Sequence, residues 1–417
     1  MNKCKYTKQC GGCDYQGMPY EKQLQKKQTY IESLLAPVLL KNGYKKDNLN
    51  SVFLPILGAK SPYAYRNKVH AVFGTGKNKK TICGIYEKNS HWVVDVDHCQ
   101  IEDEHAVEMI RGIKDMMPSF RMRPFDEDKK TGMLRHVLIR VGEHVIGDVL
   151  QKEYLVILVT GTKEFPGKKN FVKALVEKYP EITTIVWNIN DKKTSMVLGE
   201  REEVLYGKGY VTDTLLDLNF QISPKSFYQV NKRQTEVLYQ CAGDMANLSE
   251  SDVVLDAYCG TGTIGSTLAN RVKAVVGVEL NKDAVADAKR NAKENDLQKI
   301  RFICKDAGEY LEALAQNRNE AQAEELPNVV IMDPPRSGSS KAFLNSLLKL
   351  KPERVVYISC GPESLKRDLE YLLRPKHGKR LYRVEKIQPV DMFPMTKHVE
   401  TVVLLSQQKP DVHIEML

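Results

Sequence analysis

The sequence predicts an α/β protein in which a doubly wound parallel sheet follows an α+β region built largely on antiparallel strands. Two patterns predict this class. From about Gln229 onward, short apolar runs rich in Val and Ile alternate with helical patterns, which is typical of parallel strands joined by helices. Between Tyr63 and Val211, stretches of alternating apolar and polar residues contain one helical interlude, which is typical of antiparallel strands. The transition is predicted near residues 209–223.

Hydrophobic periodicity places the individual elements. Residues 20–35 carry apolar side chains at helical spacing and predict a helix. In the antiparallel region, strands are predicted at residues 68–73, 81–86, 91–96, 135–141, 154–160 and 183–190, and a helix at residues 168–179. In the parallel region, strands are predicted at residues 253–258, 274–280, 300–306, 328–333, 354–360 and 400–405.

Length and composition limit the classes of protein. The chain has 417 residues, of which 42% are hydrophobic and 28% charged, which is typical of a globular protein with two or three domains. No run approaches the roughly 20 apolar residues that a membrane span needs. The first 20 residues are polar and contain cysteines, unlike a signal peptide. We therefore expect a cytoplasmic protein without a membrane partner.

The net charge of +9 is concentrated near the N-terminus. The first 100 residues contain 16 Lys and Arg against seven Asp and Glu, whereas the remaining residues contain 46 of each kind. A localised basic region suggests a polyanionic partner, of which nucleic acid is the commonest. The alternative is a lysine-rich surface that is merely solvated.

The N-terminal cysteines predict a metal site. Cys4, Cys10 and Cys13 have the spacing C-x5-C-x2-C, and in a reducing compartment such spacing favours a metal over a disulfide. A fourth thiolate would come from Cys99 or Cys83. Cys99 is favoured, because Cys83 lies inside a predicted strand. Zinc and an iron–sulfur cluster both accept four thiolates, and unligated surface thiols are the alternative.

A glycine-rich turn follows the first strand of the parallel region. Asp256 lies at the end of that strand, and Gly260, Gly262 and Gly265 lie in the turn into a helix. Glycines at this place let the backbone approach a bound ligand closely. A dinucleotide is one candidate for that ligand.

Acidic residues at the ends of the following strands favour a different ligand. Glu279 arrives 17 residues after Gly262, and Asp306 and Asp333 end the next two strands. S-adenosylmethionine presents a ribose, an adenine amino group, an ammonium and a sulfonium, and it has no pyrophosphate to bind. Four strand-end acids therefore fit this methyl donor better than a dinucleotide, although each acid alone is typical of a helix cap or a solvated loop.

Cys360 ends the fifth strand of the parallel region, where Gly361 and Pro362 stop it. A buried cysteine that only packs is the simple alternative. Beside a methyl donor, a thiolate adds to carbon 6 of a pyrimidine so that carbon 5 becomes nucleophilic, and a general base then removes the carbon 5 proton. Glu400, just before the last strand, is the leading candidate for this base, and His398 is the alternative.

The surroundings of Cys360 favour uracil as the base. Lys397, Arg336 or the N-terminus of the following helix are candidates for lowering the pKa of the thiol from about 8.5. Asp333 is followed by Pro334 and Pro335, a motif that also occurs in amino methyltransferases, which need no nucleophilic cysteine. Cytosine-5 RNA methyltransferases have a Pro-Cys pair at this fourth strand, and this chain has no cysteine there.

Seven segments, spread over essentially the whole chain, resemble in order those of the RumA/TrmA-like (RlmD/RlmC-type) uracil-5 RNA methyltransferases. They are CGGC (10–13), SPKSFYQVN (223–231), DAYCGTGTIG (256–265), VELN (278–281), DPPRSG (333–338), YISCGP (357–362) and HVETVVLL (398–405).

The resemblance implies a Rossmann-like, S-adenosylmethionine-dependent domain that methylates carbon 5 of uridine in RNA, with Cys360 as nucleophile and Glu400 as base. It implies 23S ribosomal RNA as substrate, because the iron–sulfur members of the family are ribosomal RNA enzymes. A tRNA uracil-5 activity and an RNA cytosine-5 activity are the alternatives. The implied ligands of a [4Fe–4S] cluster are Cys4, Cys10, Cys13 and Cys99. The implied donor contacts are Gln229, Tyr258, Thr263, Glu279, Asp306 and Asp333.

The resemblance also shapes the expected organisation. Many ribosomal members begin with a small β-barrel (TRAM) domain, which this chain is expected to lack, so the number and identity of the target uridines stay open. We expect a monomer with a cysteine-bearing basic region at 1–105, an overlapping RNA-binding α+β domain at 60–220 and a catalytic methyltransferase domain at 221–417.

The predicted RNA-capture residues lie in the N-terminal half. They are Tyr63, Tyr65, Arg66 and Lys68, together with the basic turn 74–80, and an ordinary strand edge is the alternative. Two other classes of function are considered: a dinucleotide-dependent oxidoreductase that uses the cysteines for electron transfer, and a noncatalytic RNA-binding scaffold.

Overall fold

A computed structural model of the chain describes residues 3–316, 326–375 and 379–408. It divides into two compact units, each built from separate segments. Unit 1 comprises Met1–Tyr20, Lys60–Arg233 and Pro394–Lys397, and unit 2 comprises Glu21–Ala59, Gln234–Phe393 and His398–Leu417. The predicted domains 1–105, 60–220 and 221–417 are contiguous ranges, so they divide the chain differently.

The helices and strands of the described residues are as follows. The α-helices are α1 (Tyr20–Lys41), α2 (Leu49–Val52), α3 (Glu104–Met116), α4 (Lys168–Lys178), α5 (Lys232–Ala246), α6 (Thr263–Leu268), α7 (Lys282–Glu294), α8 (Ala307–Gln316), α9 (Lys341–Leu350) and α10 (Pro362–Leu372). The strands of unit 1 are β1 (Lys68–Thr75), β2 (Thr81–Tyr86), β3 (Val93–Asp95), β4 (Leu134–Ile146), β5 (Val149–Thr160), β6 (Ile182–Ile189), β7 (Arg201–Gly207), β8 (Val211–Leu215) and β9 (Leu218–Ile222). The strands of unit 2 are β10 (Val253–Ala257), β11 (Ala274–Glu279), β12 (Ile300–Cys304), β13 (Val329–Met332), β14 (Arg354–Ser359), β15 (Tyr382–Val390) and β16 (Glu400–Gln407).

Unit 1 contains a seven-stranded sheet in the order β3-β2-β1-β4-β5-β6-β7 and a separate hairpin of β8 and β9. All neighbours in the large sheet are antiparallel except β5 and β6, which are parallel and are connected through α4. Alternation along β1 sends Val69, Ala71 and Phe73 into an apolar core, into which α3 also packs Met109 and Ile113. Unit 1 therefore combines helices with a mainly antiparallel sheet.

Unit 2 contains a seven-stranded sheet in the order β12-β11-β10-β13-β14-β16-β15. Strands β10 to β14 are parallel, and their buried Val and Ile residues explain the continuous apolar runs in the sequence. Helix α1 packs Ile31 and Leu35 into the core of this unit, which also contains Val355 and Tyr357 of β14. The α/β class predicted from the sequence is confirmed.

The last strand departs from the prediction of a wholly parallel sheet. β16 is antiparallel to both of its neighbours, β14 and β15. No helix lies between β15 and β16, and a parallel connection needs a crossover of a dozen or more residues, usually a helix. This antiparallel placement positions Glu400, as described below. Among the described residues, no helix is long and apolar enough to cross a membrane.

Candidate active site

Five of the predicted site residues follow or end parallel strands of unit 2. Tyr258 follows β10, Glu279 ends β11, and Asp306 lies two residues beyond β12. Asp333 directly follows β13, and Cys360 directly follows β14. Because parallel strands place their carboxyl ends at one edge of a sheet, the fold brings these five residues to the same edge.

The glycine turn after β10 has a backbone conformation that side chains disfavour. Gly260 and Gly262 have φ angles of 54° and 75°, and Tyr258 adopts a φ of 64°. A Cβ atom added to Gly262 would lie 2.5 Å from the ring of Phe302. The turn therefore requires glycine for two reasons, positive φ and close packing, and its bare backbone is open to a ligand.

Asp256 supports this turn from below. It is completely buried, its Oδ2 atom accepts a hydrogen bond from the N–H of Gly265 at 2.8 Å, and its Oδ1 atom has no partner among the described residues. Burial raises the pKa of Asp256 to about 7, and the negative charges of Asp333 and Glu279 act in the same direction. The sequence placed Asp256 at a strand end but did not show that it is a buried acid of the site.

The carboxylate of Glu279 is oriented by the backbone. Its Oε2 atom accepts a hydrogen bond from the N–H of Gly260 at 3.1 Å, and its Oε1 atom accepts one from the N–H of Asn281 at 2.8 Å. Each carboxylate oxygen retains a second acceptor site, so Glu279 is suited to accept two hydrogen bonds from a ribose diol.

Thr263 and Asp306 each make a structural hydrogen bond as well. The hydroxyl of Thr263 lies 2.9 Å from that of Tyr239, whose pKa is strongly raised by burial, so the phenol stays protonated. The Oδ1 atom of Asp306 accepts a hydrogen bond from the N–H of Glu309 at 3.0 Å, in the first turn of α8. Tyr239 was not predicted from the sequence, because its position within an amphipathic helix resembles that of any core aromatic.

Strand register places Glu400 beside Cys360. Ser359 of β14 is paired with Thr401 of β16, and the two strands are antiparallel. The residue after Ser359 is Cys360, and the residue before Thr401 is Glu400, so the two occupy the next opposed position. Glu400 is only 4% exposed, whereas Cys360 is half-buried. The predicted nucleophile and base are thus neighbours in one unit.

Burial dominates the electrostatics of this pair. It raises the pKa of Glu400 to about 8 and that of Asp333 to about 7. The pKa of the Cys360 thiol is raised to about 11 by burial and then by the charges of Glu400 and Asp333, while Arg336 opposes this shift. Of the three candidates for activating the thiol, Arg336 therefore acts in the required direction. Cys360 also immediately precedes Gly361, the N-cap of α10.

The raised pKa of Glu400 predicts a pH-dependent stability. Between its usual pKa of 4.5 and its folded-state pKa of about 8, the Glu400 carboxyl is ionised in the unfolded chain but protonated in the folded chain. Raising the pH through this range therefore lowers the free energy of unfolding. We expect Glu400→Gln to be more stable than the parent chain by about 1–3 kcal/mol at pH 8.5, and much less so at pH 5. Urea unfolding at the two pH values measures this. An equal difference in unfolding free energy at both would contradict the buried, raised acid.

Gln229 and Lys397 belong to unit 1, whereas the other predicted donor and catalytic residues belong to unit 2. The backbone carbonyl of Gln229 accepts a hydrogen bond from Asn67 Nδ2 at 3.1 Å. The backbone N–H of Lys397 donates to Asp14 Oδ2 at 3.0 Å. His398, the alternative base, is in unit 2, with its ring 6.2 Å from that of Phe393.

The structure does not support the predicted metal cluster. Within the part of the chain that is described, no group of three or more His, Cys, Asp or Glu side chains is arranged to hold a metal ion. Cys4, Cys10, Cys13 and Cys99 are all half-buried in unit 1. Cysteine spacing shows which thiols are near in sequence, but it does not fix how their sulfur atoms are arranged in space. The spacing alone therefore does not predict a metal-binding geometry. Cys83 is buried in the core, as expected.

The predicted RNA-capture residues have different surroundings. The hydroxyl of Tyr65 donates to the carbonyl of Pro394 at 3.1 Å, and Lys68 lies opposite Arg140 between β1 and β4. Burial and the charge of Arg140 lower the pKa of Lys68 to about 8. By contrast, the lysines of the turn between β1 and β2 are exposed. They are Lys77, Lys79 and Lys80.

An α/β sheet with polar and acidic residues at the carboxyl ends of its parallel strands is typical of enzymes that bind a nucleotide-like ligand at that edge. The chain belongs to the tRNA (uracil-5-)-methyltransferase family, whose family model matches residues 177–408. The resemblance drawn from the sequence motifs is thereby confirmed at the level of the family. The iron–sulfur branch is not shown by these similarities.

Relatives and a solved structure agree with this family. The chain is 39% identical over 399 residues to an uncharacterized RNA methyltransferase of Oceanobacillus iheyensis, covering 95% of this chain and 81% of that one. It is 36% identical over 406 residues to one of Bacillus cereus, covering 97% and 83%. The tRNA (uracil-54, C5)-methyltransferase of Pyrococcus abyssi, solved in complex with S-adenosyl-L-homocysteine, matches with a TM-score of 0.72 and 26% identity, covering 95% of this chain and 86% of that one.

Proposed function

We propose that this RNA uracil-5-methyltransferase works through a covalent bond between Cys360 and carbon 6 of the target uridine, with S-adenosylmethionine as the donor. The observation that carries the proposal is the register of β14 and β16, which opposes Cys360 to the buried Glu400. The family match supports the uracil-5 chemistry, and the S-adenosyl-L-homocysteine in the Pyrococcus abyssi protein supports the donor.

Each step of this chemistry has a residue of the chain. The thiolate of Cys360 adds to carbon 6, which turns carbon 5 into an enolate-like nucleophile. S-adenosylmethionine, when bound, would supply the methyl group from its sulfonium to that carbon and leave as S-adenosylhomocysteine. Glu400 then removes the proton from carbon 5, and the electrons of that bond expel the Cys360 thiolate from carbon 6. The methylated uracil is released and the thiolate is regenerated.

The surroundings of the two groups suit their tasks. A carboxylate with a pKa near 8 is a stronger base than an ordinary glutamate and matches a neutral operating pH. At neutral pH the raised pKa leaves only a fraction of Glu400 ionised, which limits its negative charge near the thiol, and this ionised form is the one that accepts the carbon 5 proton. Arg336 then provides the opposing positive charge that favours the thiolate.

The donor is proposed to lie along the glycine turn at the carboxyl edge of the sheet. Glu279 is proposed to accept hydrogen bonds from the ribose hydroxyls, and Tyr258 and Asp333 are proposed to contact the donor from neighbouring strand ends. Asp306 and Thr263 are proposed as further contacts. The partly satisfied carboxyl of Asp256 supports the turn and adds negative charge near the cationic donor.

The substrate is proposed to be 23S ribosomal RNA, with transfer RNA as the second candidate. The first rests on the resemblance to the iron–sulfur branch, and the second is favoured by the name of the matching family and by the Pyrococcus abyssi structure. In either RNA the target carbon is hidden by stacking, so the uridine must be in a loop or be flipped out, at a cost of a few kcal/mol. The exposed lysines of the β1–β2 turn are proposed to contact the RNA backbone.

Product analysis tests this proposal. Purified protein is incubated with labelled S-adenosylmethionine and with unmodified 23S ribosomal RNA or transfer RNA, and the digested nucleosides are identified by mass spectrometry. We expect 5-methyluridine in the ribosomal RNA. 5-Methyluridine confined to transfer RNA would replace the proposed substrate by the second candidate. Exclusive formation of 5-methylcytidine would contradict the proposed reaction.

A [4Fe–4S] cluster on Cys4, Cys10, Cys13 and Cys99 is a separate part of the proposal. Two observations support it: unit 1 contains these four soft thiol donors, and the charges of Cys4 and Cys10 influence Cys13. The arrangement of the described thiols does not support it. We expect protein purified without oxygen to be brown, with visible absorbance that bleaches on reduction and is lost in Cys13→Ser. Colourless protein containing one zinc ion per chain would contradict the cluster.

A further inference from the structure

Helix α10, which follows the proposed nucleophile, presents three polar side chains to the loop 336–339. This loop, here called the arginine loop, carries Arg336 and lies between β13 and α9. The three side chains are Ser364, Arg367 and Asp368. They are spaced by three and four residues, so they lie on one face of the helix.

Asp368 is the centre of these contacts. It is completely buried, and its Oδ2 atom accepts hydrogen bonds from the N–H of Ser339 at 2.8 Å and from the hydroxyl of Tyr357 at 2.7 Å. Its Oδ1 atom accepts two hydrogen bonds from the guanidinium of Arg367, at 2.7 and 2.9 Å. Both carboxylate oxygens are therefore engaged, and one side chain joins the arginine loop, α10 and β14.

Two further contacts hold the loop at successive residues. The carbonyl of Arg336 accepts a hydrogen bond from the hydroxyl of Ser364 at 2.9 Å. The carbonyl of Ser337 accepts one from Nη2 of Arg367 at 2.9 Å. Together with the bond from Ser339 to Asp368, these contacts fix the backbone at both ends of the loop.

The loop and the helix are too close for side chains at two positions. Gly338 has a φ of 78°, and a Cβ atom there would lie 2.5 Å from Nη2 of Arg367 and 2.7 Å from Oδ2 of Asp368. A Cβ atom on Gly361 would lie 2.6 Å from the carbonyl oxygen of Arg336. This close packing leaves the loop little freedom to move relative to the strand end that carries Cys360.

The arginine loop connects three parts of the proposed site. Arg336 is the cation that opposes the charges of Asp333 and Glu400 at the thiol of Cys360. At the other end of the loop, the hydroxyl of Tyr258 donates to Ser339 Oγ at 3.4 Å. A displacement of the loop would therefore change the field at the thiol and the position of a proposed donor contact.

We propose that Ser364, Arg367 and Asp368 are positioning residues that fix the arginine loop so that the charge of Arg336 is held beside Cys360. The inference deepens the proposed function, on which the catalytic importance of the thiol rests. The claim that the arginine loop is held in place concerns only how readily the Cys360 thiol ionises. This claim can therefore be tested without RNA and without the methyl donor.

The test compares two isosteric substitutions of buried aspartates in unit 2. Asp368→Asn removes the negative charge and weakens its contacts with the loop. Asp252→Asn, the control, affects a carboxylate that is 2% exposed, pairs with Arg354 and accepts from the N–H of Ser249 at 2.6 Å, before the amino end of β10. The rate of Cys360 alkylation by iodoacetamide is measured by peptide mass spectrometry between pH 7 and about 9.5, below the thiol pKa of about 11, where the rate is proportional to the thiolate fraction. Thermal unfolding is measured for both variants.

We expect Asp368→Asn to lower the rate of Cys360 alkylation at pH 8 about tenfold, as a shift of one pKa unit gives. Asp252→Asn is expected to leave this rate unchanged. In the methylation assay, Asp368→Asn should lower kcat about tenfold to a hundredfold, since small misplacements near reacting groups have effects of that size. Equal losses of thermal stability with unchanged alkylation rates in both variants would overturn the proposal.

A double substitution provides the decisive control. Ser364→Ala removes a hydroxyl that donates to the carbonyls of Arg336 and Gly361, and it is expected to lower the alkylation rate at pH 8 moderately. In an Arg336→Gln background the same change should have no further effect, because the charge that Ser364 positions is gone. Additive shifts would overturn the proposal. If the shifts occur but Cys360→Ser still methylates RNA, the positioning role stands and the proposed catalytic role fails.

Discussion

Replacement of Cys360 by serine is expected to abolish methyl transfer to RNA, lowering the rate by about four orders of magnitude or more. The proposed reaction begins with addition of a thiolate to carbon 6. A serine hydroxyl is far less acidic than a thiol, and neither Arg336 nor the N-terminus of α10 can make it an alkoxide at neutral pH. Initial rates with labelled S-adenosylmethionine measure the loss, and calorimetry measures donor binding, which should be unchanged.

A matched control is Cys241→Ser on α5, because Cys241 is also half-buried. Its one hydrogen-bonding partner among the described residues is Met245 of the same helix. This variant should retain the parent rate. Turnover of Cys360→Ser at a rate close to that of the control would exclude covalent catalysis by this residue. Cys360 would then be a well-packed residue at a strand end.

Replacement of Glu400 by glutamine is expected to slow turnover about 10²- to 10⁴-fold and to trap the enzyme on its RNA. Glutamine has nearly the shape of glutamate but cannot accept the proton from carbon 5. The steps before proton removal need only the thiol and the donor, so the methylated uridine should remain bonded to Cys360. A denaturing gel should show a slowly migrating species that carries both RNA and the labelled methyl group.

His398→Gln is the matched variant for the alternative base. His398 lies two residues before Glu400 and outside β16, so it is not held in the register that opposes Glu400 to Cys360. We expect this variant to turn over without accumulating an adduct. Accumulation in His398→Gln, with normal release by Glu400→Gln, would reverse the assignment of the base.

The sequence predicted the parallel core of unit 2 because each buried strand is a short apolar run that ends in a polar residue or a turn. It did not predict the direction of β16, since an apolar run is the same in either direction and only the missing helix before it indicates an antiparallel return. β7 was missed for another reason. It is an exposed edge strand, so its residues show no alternation of apolar and polar side chains.

The candidate site also contains both features that the sequence predicts and features that it does not. The positions of Cys360, Glu279 and Asp333 were predictable because each follows or ends a strand, and the edge at which parallel strands end is fixed by the fold class. The contacts that hold the arginine loop were not predictable from the sequence. Asp368 and Ser339 are 29 residues apart, and only folding brings them within hydrogen-bonding distance. The N-terminal cysteines show a different limit of the sequence. Their spacing indicates possible metal ligands but not the arrangement of the sulfur atoms.

RNA containing 5-fluorouridine tests the central claim most directly. Fluorine at carbon 5 cannot be removed by the base, so a covalent intermediate cannot collapse after methyl transfer. We predict a stable enzyme–RNA adduct that requires S-adenosylmethionine and in which peptide mass spectrometry finds the methylated nucleotide on Cys360. Absence of an adduct under conditions in which ordinary RNA is methylated, or an adduct on a different residue, would contradict the account.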